Sequence, residues 1–155
     1  INKIYIESMV ERMGSVAPSH ITVRAAKNLE VLKDNHIYFA DNISHLTVKK
    51  SGSMRRIHFV KEPPLNGFIA SADYMFNSMA RIGGSKMLGV VLSGMGHDGA
   101  QGSLALKESG AVTIGESKES CLVYGMSRAA AKIGGISHEK TIRNILKILN
   151  GSTKL

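Results

Sequence analysis

The chain has 155 residues, a formal charge of +8, 43% hydrophobic and 21% charged residues, and one cysteine. That balance can build a packed core, which excludes wholesale disorder, and a lone thiol excludes both a disulfide framework and a cysteine-based zinc site. No apolar run approaches the ~18 residues of a membrane span, and a free thiol suits a reducing compartment, so a cytoplasmic protein without membrane insertion is expected.

The chain opens on Ile1 with no basic-then-apolar leader, and the natural polypeptide is expected to begin further upstream. Ile6, Met9, Val10 and Met13 recur at helical spacing, and Gly14 follows as a stop. His20–Val23 and His36–Phe39 read as short strands, the second after the polar turn Lys33-Asp34-Asn35. Ser44 to Lys49 alternates polar and apolar as a half-exposed strand does, and Met54 to Val60 pairs with it across Ser51-Gly52-Ser53. Lys49, Lys50, Arg55, Arg56 and Lys61 make that hairpin the most basic part of the chain. With aromatics at 5% and no Trp, the cluster reads as a solvated sheet edge, and no nucleic-acid partner is expected.

Beyond Pro63-Pro64, Ser71 is placed to cap a helix with Asp73 in its first turn. Ala72, Met75, Phe76, Met79 and Ala80 form its buried stripe, and Gly83-Gly84 ends it. Met87 to Leu92 is continuously apolar, the pattern of a parallel strand buried on both faces. A helix follows from about Ala100 to Ser109, then a strand from Ala111 to Ile114, which completes a βαβ unit. A short helix spans about Gly125 to Ile133. A final amphipathic helix carries Ile142, Ile145, Leu146 and Leu149. The predicted fold is α/β: one domain over 1–155, doubly wound, with a mostly parallel sheet flanked by helices and an antiparallel hairpin at about 44–61.

The chemistry is expected in Gly94-Met95-Gly96-His97-Asp98-Gly99, a G-x-G-x-x-G loop between a buried strand and a helix. As a dinucleotide fingerprint it would use Gly94, Gly96 and Gly99 on a pyrophosphate, with Glu116 on a ribose. Asp98 opposes that reading, because its charge would repel the anion that the helix N-terminus attracts. The same geometry suits an active site at the carboxyl end of a parallel strand. There the loop N–H groups would stabilise an oxyanion, and Asp98 would orient a catalytic histidine. Asp98 also fits as the N-cap of the helix after it.

Val90 to Gly102 resembles the signature loop of the bacterial chemotaxis protein-glutamate methylesterase family, and the likeness continues in Cys121-Leu122-Val123-Tyr124-Gly125-Met126-Ser127-Arg128-Ala129-Ala130. Upstream, Asn35 to Ala40, His45, Glu62 to Asn66 and Ser71-Ala72-Asp73 are similar to the family's segments in the same order. The resemblance implies a doubly wound α/β hydrolase with a Ser-His-Asp triad. Such an enzyme removes methyl groups from glutamate methyl esters on the cytoplasmic domains of chemoreceptors and can deamidate receptor glutamines. By position, Asp98 matches the triad acid and Met95 the residue whose backbone N–H serves the oxyanion hole. Gly94, Gly96 and Gly99 shape the loop, and neither cofactor nor metal is implied.

The chain also departs from the family. Phe68-Ile69-Ala70 stands where the family usually has a basic residue and Pro, and no G-x-S-x-G turn occurs. The triad Ser and His are therefore expected upstream, as is any receiver domain, and the 155 residues alone are expected to be inactive. His45 is read as structural or at the substrate rim, and Cys121 as a packed thiol rather than a nucleophile. Two alternatives remain beside the hydrolase: a dinucleotide-binding domain, and a non-catalytic module that binds receptors.

Overall fold

The computed structural model describes residues 3–41, 43–83 and 85–153. The chain divides into two compact units, 1–71 and 72–155. The class is α/β with parallel strands and one antiparallel hairpin, as expected.

The first unit begins with α1 (Lys3–Val16). The helix runs through Gly14, contrary to the expected stop there. Gly inside a helix costs only about 1 kcal/mol, and the Ala17 N–H still reaches the Met13 carbonyl at 2.9 Å. The actual terminator is Pro18, which disfavours the helical region for the residue before it. Of the apolar stripe Ile6 is buried, whereas Met9 and Met13 remain exposed. Strands β1 (Thr22–Ala25) and β2 (His36–Phe39) pair in parallel, Thr22 opposite His36. Asn35, just before β2, takes a left-handed φ of 58°, which Asn tolerates better than most residues.

Strands β3 (His45–Ser51) and β4 (Met54–Val60) form the hairpin. The loop is two residues long, with Gly52 at φ 61° and Ser53 outside the positive region, the pattern of a II′ turn. Lys49 faces Arg56 and Lys50 faces Arg55, so the basic residues crowd the turn end. β3 is not half-exposed: His45, Leu46, Thr47 and Val48 are all buried, and only the last three residues face solvent. The edge of β4 is occupied by residues 29–32. Leu29 N–H and Leu32 N–H donate to the carbonyls of Ile57 and Arg55, and Ile57 N–H donates to that of Glu30.

The second unit contains α2 (Ala72–Arg81), β5 (Leu88–Val91), α3 (Ala100–Glu108), β6 (Val112–Glu116), α4 (Met126–Lys132), β7 (His138–Lys140) and α5 (Ile142–Leu149). The strands form one parallel sheet in the order β5-β6-β7. Burial follows that order. Central β6 is enclosed from Thr113 to Glu116, whereas β5, at the edge of this sheet, leaves Leu88 exposed. The continuous apolar run of β5 therefore does not mean burial on both faces. Strand β7 is absent from the sequence reading because His138-Glu139-Lys140 carries no apolar pattern. In α5 only Ile145 of the four predicted apolar positions is buried, while Ile142, Leu146 and Leu149 are exposed. Gly84, expected to help end α2, lies outside the described residues.

Phe76, Val91, Leu106 and Ala111 make the core of this unit, with Met75, Met79 and Ala80 of α2 packed against it. Helices α2 and α3 cross closely at Gly102. A Cβ there would lie 2.7 Å from Phe76 Cβ and 3.0 Å from Asp73 Cα. Helix propensity favours Ala over Gly by about 1 kcal/mol. The clash involves atoms fixed to the α2 backbone, so overpacking should dominate. Gly102→Ala is expected to destabilise the fold by about 1–3 kcal/mol, read as a lowered thermal midpoint. An unchanged or raised midpoint would show that the helices can separate at little cost.

Candidate active site

The loop from Ser93 to Gly99 leaves the carboxyl end of β5, where ligand sites form in α/β sheets. Gly96 and Gly99 hold φ of 100° and 85°, a region costly for residues with a Cβ. At Gly94 a Cβ would press on the Met126 side chain, which would have to shift to admit it. The loop is tied to the segment before α4: Gly94 N–H donates to Val123 O at 3.0 Å, and Met126 N–H donates to Gly94 O at 2.8 Å. Val123 N–H also donates to Ser93 Oγ at 2.9 Å. Pinned on this side, the loop turns Met95 outward with 83% of its surface exposed. Among the described residues, the backbone N–H groups of Met95 and Gly96 have no protein acceptor. They are available to an incoming anion.

Asp98 is buried, and it does not cap the helix that follows it. The N-cap of α3 is Gly99, which has no side chain to accept. The Asp98 carboxylate instead turns to α2, accepting the Ala72 N–H on Oδ2 at 2.7 Å and the Asp73 N–H on Oδ1 at 3.3 Å. Asp73, itself buried, returns the contact: its Oδ1 accepts the Gly102 N–H of α3 at 2.6 Å. Each helix start is thus satisfied by a carboxylate from the other segment.

These contacts also answer the dinucleotide alternative. The first turn of α3, where a pyrophosphate would sit, already holds the Asp73 carboxylate, with Asp98 close behind it. Glu116, the expected ribose ligand, is 4% exposed and lies within β6 rather than beyond it. Its oxygens accept the Ser93 N–H and the Ser120 hydroxyl, both at 2.9 Å. It acts as a brace under the loop. No group of His, Cys, Asp and Glu residues suited to a metal ion occurs among the described residues.

The remaining candidates divide cleanly. His45 is fully buried in the first unit, so a place at a substrate rim is excluded and a structural one is supported. Its Nδ1 accepts the Ser71 N–H at 3.3 Å, which puts the ring proton on Nε2, 3.1 Å from the Pro63 carbonyl. Cys121 donates its S–H to Glu116 O at 3.5 Å. Burial, with the Glu116 charge adding to it, pushes its thiol pKa above the ordinary value, so it is a weak nucleophile near neutrality. The Tyr124 hydroxyl donates to Glu139 Oε1 at 2.5 Å, and that bond raises the Tyr124 pKa. Beside the loop lies an open cleft of about 700 Å³, lined by Met95, Gly96, His97, Val123, Tyr124 and α4 residues including Arg128 and Lys132. Sequence reasoning named the loop but not this cleft, whose lining comes together only in the fold.

A parallel sheet flanked by helices, a glycine loop at the carboxyl end of a strand with two N–H groups lacking a protein acceptor among the described residues, and a buried carboxylate at the loop's end define an α/β domain with a loop-borne candidate site. The family model described as CheB methylesterase matches residues 2–149, and the chain belongs to that family. Its curated relatives include the protein-glutamate methylesterase/protein-glutamine glutaminase 2 of Vibrio vulnificus, 42% identical over 76% of this chain and 34% of the relative. A Salmonella typhi protein of the corresponding name is 37% identical over 86% of this chain and 38% of its own length. An Archaeoglobus fulgidus one is 34% identical over 91% and 40%. The chain thus spans well under half the length of these relatives. The solved CheB methylesterase catalytic domain of Thermotoga maritima superposes with a TM-score of 0.90 at 27% identity, covering 99% of this chain and 80% of that one.

Two outcomes test this geometry. Asp73→Ala removes a buried acceptor from the start of α3 and should destabilise the fold by about 1–3 kcal/mol in urea denaturation. Cys121 should react with iodoacetamide more slowly than a free cysteine peptide at pH 8.5, because less of it is thiolate. Faster reaction would contradict its packed, proton-retaining environment.

Proposed function

We propose that residues 1–155 belong to a single catalytic domain of a carboxylic-ester hydrolase, whose first strand-helix elements, with the nucleophile and base, lie outside them. It removes methyl groups from glutamate methyl esters on the cytoplasmic domains of chemoreceptors and deamidates receptor glutamines. The observation that carries this reading is the pairing, in one loop, of the Met95 N–H, which has no acceptor among the described residues, with the buried Asp98 carboxylate. The relatives' names supply the substrate class. The setting is the cytoplasm, and among the described residues no helix is long and apolar enough to cross a membrane.

In the proposed reaction a serine hydroxyl attacks the ester carbonyl while a histidine takes its proton. The carbonyl oxygen gains negative charge and is held by the Met95 N–H, an interaction stronger in the transition state than in the ground state. Asp98 orients the histidine and stabilises its imidazolium. Methanol leaves with the proton returned by the histidine, and water then hydrolyses the acyl-enzyme by the reverse use of the same groups. The bonds from Ala72 and Asp73 hold the Asp98 carboxylate in a single orientation, which is what an orienting acid requires.

The nucleophile and base of this scheme come from outside the 155 residues. Ser93, Ser103 and Ser127 each bond to backbone groups, and His45 is committed at both ring nitrogens. Residues 1–155 alone should therefore show no saturable methyl-ester hydrolysis, and an upstream receiver domain remains part of the proposal for the whole protein.

Asp98→Asn is the decisive variant in the full-length protein. The amide can accept one N–H but presents a donor to the other, so about 1–2 kcal/mol of stability should be lost. Turnover should fall at least ~10²-fold, the scale of a misplaced general base, with an unchanged circular dichroism spectrum. A variant that loses stability yet keeps more than half its turnover would make Asp98 a helix cap alone.

A further inference from the structure

The cleft beside the loop has an uneven charge. Arg128, Lys132 and His97 line it, and no Asp or Glu does. Arg128 and Lys132 are exposed, and among the described residues neither has a carboxylate within ion-pairing distance. The nearby acid, Glu139, accepts the Tyr124 hydroxyl instead. Two cations four residues apart on one helix lie on the same face, about 5–6 Å apart. Their distance from the reaction centre follows from Gly125, whose Cβ position lies 3.3 Å from Met95 Cα. Arg128 is about 4.5 Å of helix rise beyond Gly125, and Lys132 about 10 Å. Met95 and Val123 supply apolar surface in the same cleft, suited to a methyl group and an aliphatic side-chain stem.

We propose that this cleft is the specificity site for an acidic peptide: Arg128 and Lys132 hold carboxylates that flank the reacting side chain, about one and two helical turns away from it. The inference rests on the hydrolase reading, and it adds what selects the substrate segment. Arg128 and Lys132 are positioning residues. They touch the substrate away from the reacting atoms, and their attraction places the ester against the Met95 N–H. The unpaired state of both cations follows from this role, since an internal acid partner would compete with the substrate.

The test uses the full-length protein and three fluorescently labelled peptides. In each the reacting ester is replaced by an uncleaved N-methyl amide, and Glu, Ala or Lys stands at the positions three to four and seven residues away. Anisotropy titration should show the Glu-flanked peptide binding about 5-fold tighter, a modest preference because solvated ion pairs are individually weak. The preference should vanish at 0.5 M salt, where screening acts within about 4 Å. It should vanish in Arg128→Gln/Lys132→Gln, and Arg128→Glu/Lys132→Glu should instead prefer a Lys-flanked peptide, which reports on charge recognition even if both variants are less stable. A Glu preference that survives the charge reversal, or no preference in the unmodified protein, overturns the proposal. Hydrolysis of the Glu-flanked methyl ester by the unmodified protein is measured in parallel. Its absence beside an intact, charge-reversible preference would count against the hydrolase reading while leaving acidic-peptide recognition standing.

Discussion

Two buried carboxylates, exchanged between the starts of two helices, organise the second unit. Asp98 stands before α3 and satisfies the first N–H groups of α2, while Asp73 stands in α2 and satisfies the Gly102 N–H of α3. Helix starts are costly to bury because their N–H groups have no intrahelical partners, and an anion is the most effective acceptor for them. Here both anions are buried, so each needs the other helix as much as that helix needs it. The crossing must be close for the exchange to work, and Gly102 permits it by presenting no Cβ to Phe76.

The loop inherits its geometry from this lock. One end is fixed at Asp98 by α2. The other is fixed at Ser93 by Glu116 from beneath and by Val123 alongside. Between the two anchors Gly96 takes a left-handed conformation, and Met95 is left exposed, its N–H without a protein acceptor among the described residues. A donor aimed at a developing charge is useful only if it need not reorganise during the reaction. The loop is anchored at both ends, and of its residues only the last two, Asp98 and Gly99, are buried.

The Asp73 carboxylate thus occupies the first turn of α3, where a phosphate would bind in a dinucleotide domain, although the sequence pattern is shared. G-x-G-x-x-G between strand and helix specifies a tight, amide-rich turn. What the turn receives depends on the charges packed behind it. With Asp73 and Asp98 at the helix starts, a resident anion is disfavoured. Under the proposed function a transient oxyanion would instead be held at Met95, three residues before Asp98.

Sequence by itself determined the order and type of nearly all elements, because amphipathic spacing, the Gly52 turn and the apolar run of β5 are local signals that need no knowledge of neighbours. It also determined the loop and, through family likeness, the identity of Asp98 and Met95 as the residues to watch. Only the tertiary structure decided which helix Asp98 caps, since a carboxylate two residues before a helix has no local preference for a distant N–H until packing delivers one. The same holds for His45, whose alternating strand reads as half-exposed although Pro63 and Ser71 enclose its ring, and for β7, three polar residues made into a strand by the open edge of β6. The cationic cleft belongs there too: Arg128 and Lys132 are ordinary helix residues in the sequence, and they become a site because Gly125 brings their helix against the loop.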